Sequence, residues 1–271
     1  MAKKVYIGVG HGGSDPGAVA NGLKEKDLNL AVATYCTAYL KARGVSVKQS
    51  RINDNEVWLE QRIKEANAFG ADLALDIHHN AGGGDGAEVY HTKYFGKGNT
   101  LAKNILAEMG KIGQNSRGAR VKKNASGHDY FGFIRLTNMP SVLVECAFVD
   151  NKTDVKIVDT IAEQKAMGEA IAKGILKTLG IKDVIVPKKM SYPGGFPVLP
   201  KRGYLKQGDT GTQVRRLQSF LNWYGNYKLD VDGDFGAKTL SAVKKFQKAE
   251  KLTVDGLFGK ASLAKAKAIK K

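Results

Sequence analysis

An α/β fold is what this sequence predicts: an open, mostly parallel sheet with helices on both faces, followed by a small three-helix domain. Three observations carry that expectation. From residue 4 to about 180, short β-branched runs alternate with longer segments of helical period, the pattern that parallel α/β architecture requires. Residues 183–203 (DVIVPKKMSYPGGFPVLPKRG) then hold four of the six prolines and little helical periodicity, as a linker does. Finally, DVDGDFGAKTLSAV at 230–243 is echoed by TVDGLFGKASLAKA at 253–266, so one supersecondary unit occurs twice. The expected domains are 1–182, a linker at 183–203 and a compact helical module at 204–271.

Taken in order, VYIGV (5–9) is a strand. Asp27 to Arg43 places Leu28, Val32, Tyr35 and Tyr39 at intervals of three and four, an amphipathic helix that Gly44 ends. VSVKQS (45–50) is a second strand, Glu56 to Phe69 a helix and LALDI (73–77) a third strand. Further strands are expected at 87–91, 131–135 and 142–146, and helices at Asn99 to Ile112 and Ile161 to Leu179, the latter stopped by Gly180. The polar stretch 113–130 reads as a long surface loop. In the tail, Val214, Leu217 and Leu221, then Leu240, Val243 and Phe246, recur at helical spacing and supply the apolar stripes of a compact helical module.

Composition narrows the classes. No apolar run approaches the ~20 residues of a membrane span, so no span is expected. Cys36 and Cys146 are the two cysteines and neither sits in a metal-ligand spacing, so a disulfide framework is not expected and Cys146 reads as a small buried hydrophobe. The N-terminus turns to glycine and histidine after a very short apolar run, too short for a secretory signal, and synthesis in a reducing cytoplasm is the expectation. Net charge is +17, and residues 204–271 carry a large share of it, with 14 Lys and Arg against 6 Asp and Glu. Such a field favours a polyanion: nucleic acid, an anionic membrane or an anionic wall polymer. The tail lacks the interleaved aromatic and basic residues of single-strand binders, which argues against nucleic acid.

The chemistry gathers where apolar runs stop. VYIGVGHGG ends at His11, LALDIHHNA at His78 and SVLVECAF at Glu145, and a buried strand that stops on an ionisable residue puts it at the sheet rim where ligands collect. Glu25, just before the first amphipathic helix, can reach the same rim. Two imidazoles and a carboxylate make a catalytic zinc set that leaves a fourth position to water. His78 and His79 point to opposite faces, so at most one joins the site; His78 is the choice, with His79 in support and Asn80 able to donate a hydrogen bond to substrate. A carboxylate buried at Glu145 without a partner costs several kcal/mol, so it needs a reason to be there: general acid–base work, or an ion pair with Arg51 or Arg135.

GHGGSDPGA, GLKEKDLNL, SRINDNEVWLEQRIKEAN, ADLALDIHHNA and PSVLVECAFVDN, in that order, resemble the zinc-dependent N-acetylmuramoyl-L-alanine amidases of the amidase-3 type over about residues 3 to 180. One departure is that the third motif usually reads Ser-Ile-His, whereas here it is Asp76-Ile77-His78. The tail, with GDTGTQVRRLQSFL, VDGDFGAKTLSAVKKFQ and VDGLFGKASL, is similar to the three-helix peptidoglycan-binding module appended to wall hydrolases. The resemblance implies that His11, Glu25 and His78 bind zinc, that Glu145 is catalytic, and that the substrate is the amide between N-acetylmuramic acid and L-alanine of peptidoglycan, with anionic wall polymers as a further partner. It also implies a phage endolysin, made in the host cytoplasm and acting at the wall after release. The alternatives are a host autolysin of the same activity, or another zinc hydrolase of the wall, a peptidase or deacetylase.

Overall fold

Strand β1 (Lys4–Val9) is buried at every residue after its first, the mark of a strand covered on both faces. In the computed structural model it lies inside the larger of two units, Met1–Val186 and Pro187–Lys271; residues 2–185 and 192–269 are described. The chain continues through a small hairpin, β2 (Val19–Ala20) and β3 (Leu23–Lys24), into α1 (Glu25–Lys41), β4 (Ser46–Gln49), α2 (Leu59–Phe69), β5 (Leu73–Asn80) and β6 (Ala87–His91). It proceeds through α3 (Lys97–Gly110), β7 (Ser116–Arg120), α4 (Gly132–Leu136), β8 (Ser141–Phe148), α5 (Lys152–Val155) and α6 (Ile161–Leu179). The six-stranded sheet runs β4-β1-β5-β8-β6-β7. Its pairs are parallel except β6 against β8.

Period two divides the strands between two cores. Val5, Ile7, Val9, Leu73, Leu75, Ile77, Val142 and Val144 face the side where Leu28 and Val32 of α1, Ile105 of α3 and Ile171 of α6 pack. Tyr6 and Ala74 face the other side and meet Ile63 of α2 and Phe133 of α4. That second cover is small. Further along the strands on this same face lie Asp76, His78 and Glu145, so the uncovered part of the sheet is where the ionisable residues sit.

Two expectations are corrected. Residues 131–135 do not form a strand: Gly132–Leu136 is a short helix, closed by Arg135 N–H donating to Phe131 C=O, a turn that buries Phe133 against Tyr6 on the face of the sheet. The loop expected at 113–130 contains strand β7, an edge strand whose SRGAR sequence has no apolar face to betray it.

In the second unit, β9 (Tyr204–Leu205) pairs with β10 (Phe258–Gly259), beside α7 (Thr212–Gly225), α8 (Ala237–Ala249) and α9 (Lys260–Ala268). The stretch expected as linker is divided. Asp183 bonds Tyr39 and Arg43 of the first unit, residues 186–191 lie outside the described ones, and Tyr192, Phe196 and Leu199 pack on the core of the second unit. The echo in sequence is an echo in hydrogen bonds. Buried Gln218 accepts from Gly233 N–H and donates to Asp232 Oδ1 and to Asp234 C=O; buried Gln247 accepts from Gly256 N–H and donates to Asp255 Oδ1 and to Leu257 C=O. Each glutamine side chain thus satisfies one Asp-Gly turn. Gln218→Leu strips the first turn of these partners, and the second unit is expected to lose about 1–3 kcal/mol, read as a lower urea midpoint; Gln247→Leu should cost a similar amount.

Candidate metal and catalytic site

His11 follows the end of β1 in the left-handed region at φ 59°, in a turn closed by Gly12 and Asp15. The turn places Asp15 Oδ2 2.7 Å from His11 Nδ1, which fixes the proton on Nδ1 and leaves the Nε2 lone pair facing Glu25. Glu25 opens α1 and is 4% exposed. Its Oε1 lies 3.2 Å from His11 Nε2 and 2.9 Å from His78 Nδ1, and it accepts from the His79 backbone N–H at 3.1 Å; Oε2 accepts from Ala18 N–H at 3.0 Å. His78 faces Asp76 Oδ2 at 3.5 Å with its other nitrogen, and Asp76 in turn sits 3.5 Å from Arg62. Each imidazole thus has a carboxylate behind it and Glu25 in front.

Close approach makes two glycines necessary. A Cβ at Gly10 would lie 2.2 Å from His78 Cε1, and one at Gly17 2.6 Å from Glu25 Oε2. The expected ligand atoms of His11, Glu25 and His78 all fall within 4.8 Å of one another, the one such group among the described residues. Two donors bound at about 2.1 Å to one tetrahedral ion sit about 3.4 Å apart, so separations of 2.9 and 3.2 Å suit a zinc-sized cation. The electrostatics agree. Burial opposes protonation of His78, yet the Asp76 and Glu25 carboxylates outweigh it and raise its pKa to about 10. Burial also works against ionised Glu25, but the two imidazoles hold it well below the usual carboxylate range. A pocket that attracts protons this strongly attracts a dication to the same lone pairs.

His79 turns the other way, as strand alternation dictates. It is 2% exposed, its Nδ1 is 2.7 Å from Asn29 Oδ1, and burial lowers its pKa to about 4, which keeps it neutral. Asn29 also donates to Gly10 C=O and to Glu25 Oε1. This one amide therefore ties α1 to the ends of β1 and β5.

Glu145 stands directly across the β5–β8 pair from His78. Its Oε2 is buried with no hydrogen-bond partner. Burial pushes its pKa up to about 7, with His78 opposing and Glu25 and Glu88 adding to the rise. The ion pair with Arg51 or Arg135 is not formed: Arg51 donates to Gly10 and Lys26 C=O, and Arg135 to Asp129 C=O. Asn80 ends β5 beside the site, its Oδ1 accepting from Ala81 N–H. His91 and His128 stand outside the group.

Residues that sequence reasoning passed over are Asp15, Asn29 and Asp76. Asp15 lies four after His11 and Asn29 four after Glu25, a helical spacing that puts the last two on one face.

An open α/β sheet whose strand ends gather two imidazoles and a buried carboxylate, with a second carboxylate across the next strand, has the parts of a metal-assisted hydrolase. A family model described as N-acetylmuramoyl-L-alanine amidase matches residues 5–177, and one for a putative peptidoglycan binding domain matches 210–265. The N-acetylmuramoyl-L-alanine amidase CwlM of Bacillus licheniformis is 38% identical over 182 residues, which cover 66% of this chain and 69% of that protein. The endolysin of Bacillus phage SPP1 is 34% identical over 203 residues, covering 71% and 73%. Among solved structures, Cwp6 from Clostridium difficile superposes with a TM-score of 0.65 at 37% identity over 66% of this chain, which spans 30% of that longer chain. The chain belongs to the N-acetylmuramoyl-L-alanine amidase family. It is an amide hydrolase with a peptidoglycan binding domain behind its catalytic unit.

Asn29→Leu removes the partner of His79 Nδ1 and of Gly10 C=O while keeping the branched heavy-atom skeleton. Stability should fall by about 1–3 kcal/mol in urea unfolding; an unchanged value would mean that water replaces the amide.

Proposed function

We propose that this protein hydrolyses the amide between the lactyl group of N-acetylmuramic acid and L-alanine, using zinc held by His11, Glu25 and His78, with Glu145 as the proton-transfer residue. The observation that supports it is the convergence of His11 Nε2 and His78 Nδ1 on Glu25 Oε1, with Glu145 one strand away and unpartnered at Oε2. When bound, zinc supplies a water of pKa near 7 and polarises the scissile carbonyl. Asp15 and Asp76 orient the two rings. Glu145 accepts at Oε2 the proton of the attacking water and returns it to the amine of L-alanine as the C–N bond breaks, which balances the protons over one turnover. Asn80, at the end of β5, contributes its amide N–H to substrate.

The basic second unit concentrates the enzyme on the wall, a tethering effect that requires no change at the catalytic site. Anionic wall polymers are a fitting partner for that charge. The similarity to the SPP1 endolysin supports a role in host lysis at the cell wall, and the similarity to CwlM supports the alternative, a host autolysin.

Digestion of purified peptidoglycan should expose the α-amine of L-alanine and no new reducing sugar, and chelation should stop it; cleavage that a chelator leaves untouched would refute the zinc site. Glu145→Gln should keep stoichiometric zinc while losing about 10²–10⁴-fold in kcat. Asp15→Asn and Asp76→Asn should each weaken zinc binding about 10–100-fold, measured by competition with a chromophoric chelator. Removing residues 204–271 should reduce sedimentation with cell walls and leave hydrolysis of small muropeptides; equal loss of both would sink the division of labour.

A further inference from the structure

Past Glu145, the same face of the sheet carries polar groups that the hydrolysis leaves unused. His78 pairs with Glu145 across β5–β8, and Glu145 pairs with Glu88 across β8–β6, so the three side chains form one row on one face. Two strand spacings separate its ends, about 10 Å. Glu88 is 3% exposed, a costly place for a carboxylate without partners. It has three. Arg117 Nε donates to Oε1 at 2.6 Å, Arg120 Nη1 lies 3.4 Å from the same oxygen, and the Tyr90 hydroxyl donates to Oε2 at 2.6 Å.

Two guanidiniums against one carboxylate leave a net positive charge on the edge strand β7. Glu88 holds Arg117, and Arg117 C=O accepts from Arg120 Nε at 3.0 Å, so both side chains are oriented. Both remain partly open to solvent, at 36% and 41%. Beside them runs an aromatic wall: Tyr90 4.8 Å from Phe131, Phe131 5.1 Å from Tyr130, and Lys122 Nζ 4.2 Å over the half-exposed Tyr130 ring.

We propose that Arg117 and Arg120 form a carboxylate subsite that binds an acidic group of the peptide on the leaving side of the scissile amide. This deepens the amidase reading and rests on it. Chemistry chooses the side. A strand of N-acetylated sugars has no free carboxylate once the lactyl carboxyl is in the amide, whereas a peptide carries its own. Reach agrees, since three extended residues span about 10 Å. The guanidinium fork matches a carboxylate in plane, and Glu88 keeps the two like charges side by side. The peptide then crosses β8 and β6 toward β7, and the glycan lies on the β1 side of the row.

The test uses two synthetic N-acetylmuramoyl peptides that begin with L-alanine and differ only in whether the later carboxyls are free or amidated. The full-length enzyme should prefer the free acids about tenfold to a hundredfold in kcat/KM, the worth of a charge-assisted contact. R117Q/R120Q/E88Q, which removes the buried Glu88 charge together with the two guanidiniums that partner it, should erase that preference, read as the ratio of the two rates at a temperature well below the variant's thermal midpoint, while zinc content is retained; R117K/R120K, which keeps the charge, should recover part of it. Equal loss on both peptides, or no preference in the unmodified enzyme, would overturn the subsite. Failure of the unmodified enzyme to free the L-alanine amine from either peptide would instead fell the amidase reading and this inference with it.

Discussion

The Glu25 carboxylate is the group on which the rest of the site depends. It is almost wholly buried and accepts from Ala18 N–H, His79 N–H and Asn29 while two imidazoles approach one of its oxygens. An ionised carboxylate in that position is tolerable only with donors and positive charge around it. The surrounding chain is shaped to provide them. The hairpin before α1 brings Ala18 back over the helix start, Glu25 N–H donating to Ala18 C=O at 2.9 Å, and the helix N-terminus adds its own partial positive charge.

Strand geometry does the sorting around that carboxylate. Because side chains alternate, neighbours His78 and His79 have opposite tasks: one ring faces the open half of the sheet beside Asp76 and Glu25, and the other is locked under α1 by Asn29. Because β5 and β8 are parallel and in register, His78 and Glu145 share a face without any loop having to carry either. Side chains anchored on central strands move less than those on loops, which suits a site that must hold two nitrogens and an oxygen near contact distance. His11 is the exception. It sits in a turn at positive φ, and the Asp15 contact is what replaces the rigidity a strand would have given.

Much of this was legible in the residues. Apolar runs located β1, β5 and β8, and the ionisable residues that follow or interrupt them located His11, His78 and Glu145; only β1 stops before its residue, since β5 continues to Asn80 and β8 to Phe148. Other parts had no such signal. Strand β7 is polar and lies at the edge, so hydrophobicity is silent about it; α4 is a single turn held by Phe133, too short for periodicity to register. Asp76 is embedded in an apolar strand, where its only sequence trace was being a charged residue in LALDI, and its partner Arg62 comes from α2, a pairing that needs the fold before it can be seen. In the second unit the repeat itself was visible, but the buried glutamines that serve each turn lie outside the echoed segments, on the helices that precede them.

Glu25 and Glu145 are two buried carboxyls whose surroundings push them in opposite directions. Both are shielded from water, and shielding alone disfavours the charge on each. What differs is the company. Around Glu25, backbone N–H groups and two imidazoles reward ionisation, so its proton is lost and it stays an anion suited to binding a cation. Around Glu145, Oε2 has no donor and the nearby carboxylates of Glu25 and Glu88 add to the effect of burial, while only His78 opposes it, so its proton affinity rises toward the range where proton transfer runs both ways near neutrality. Surroundings that push two acids in opposite directions are how one fold can keep one carboxylate ionised and hold another near the point of exchanging its proton. The separation depends on keeping donors away from Glu145, and the placement of Arg51 and Arg135 on backbone carbonyls, with Arg117 and Arg120 on Glu88 instead, achieves that.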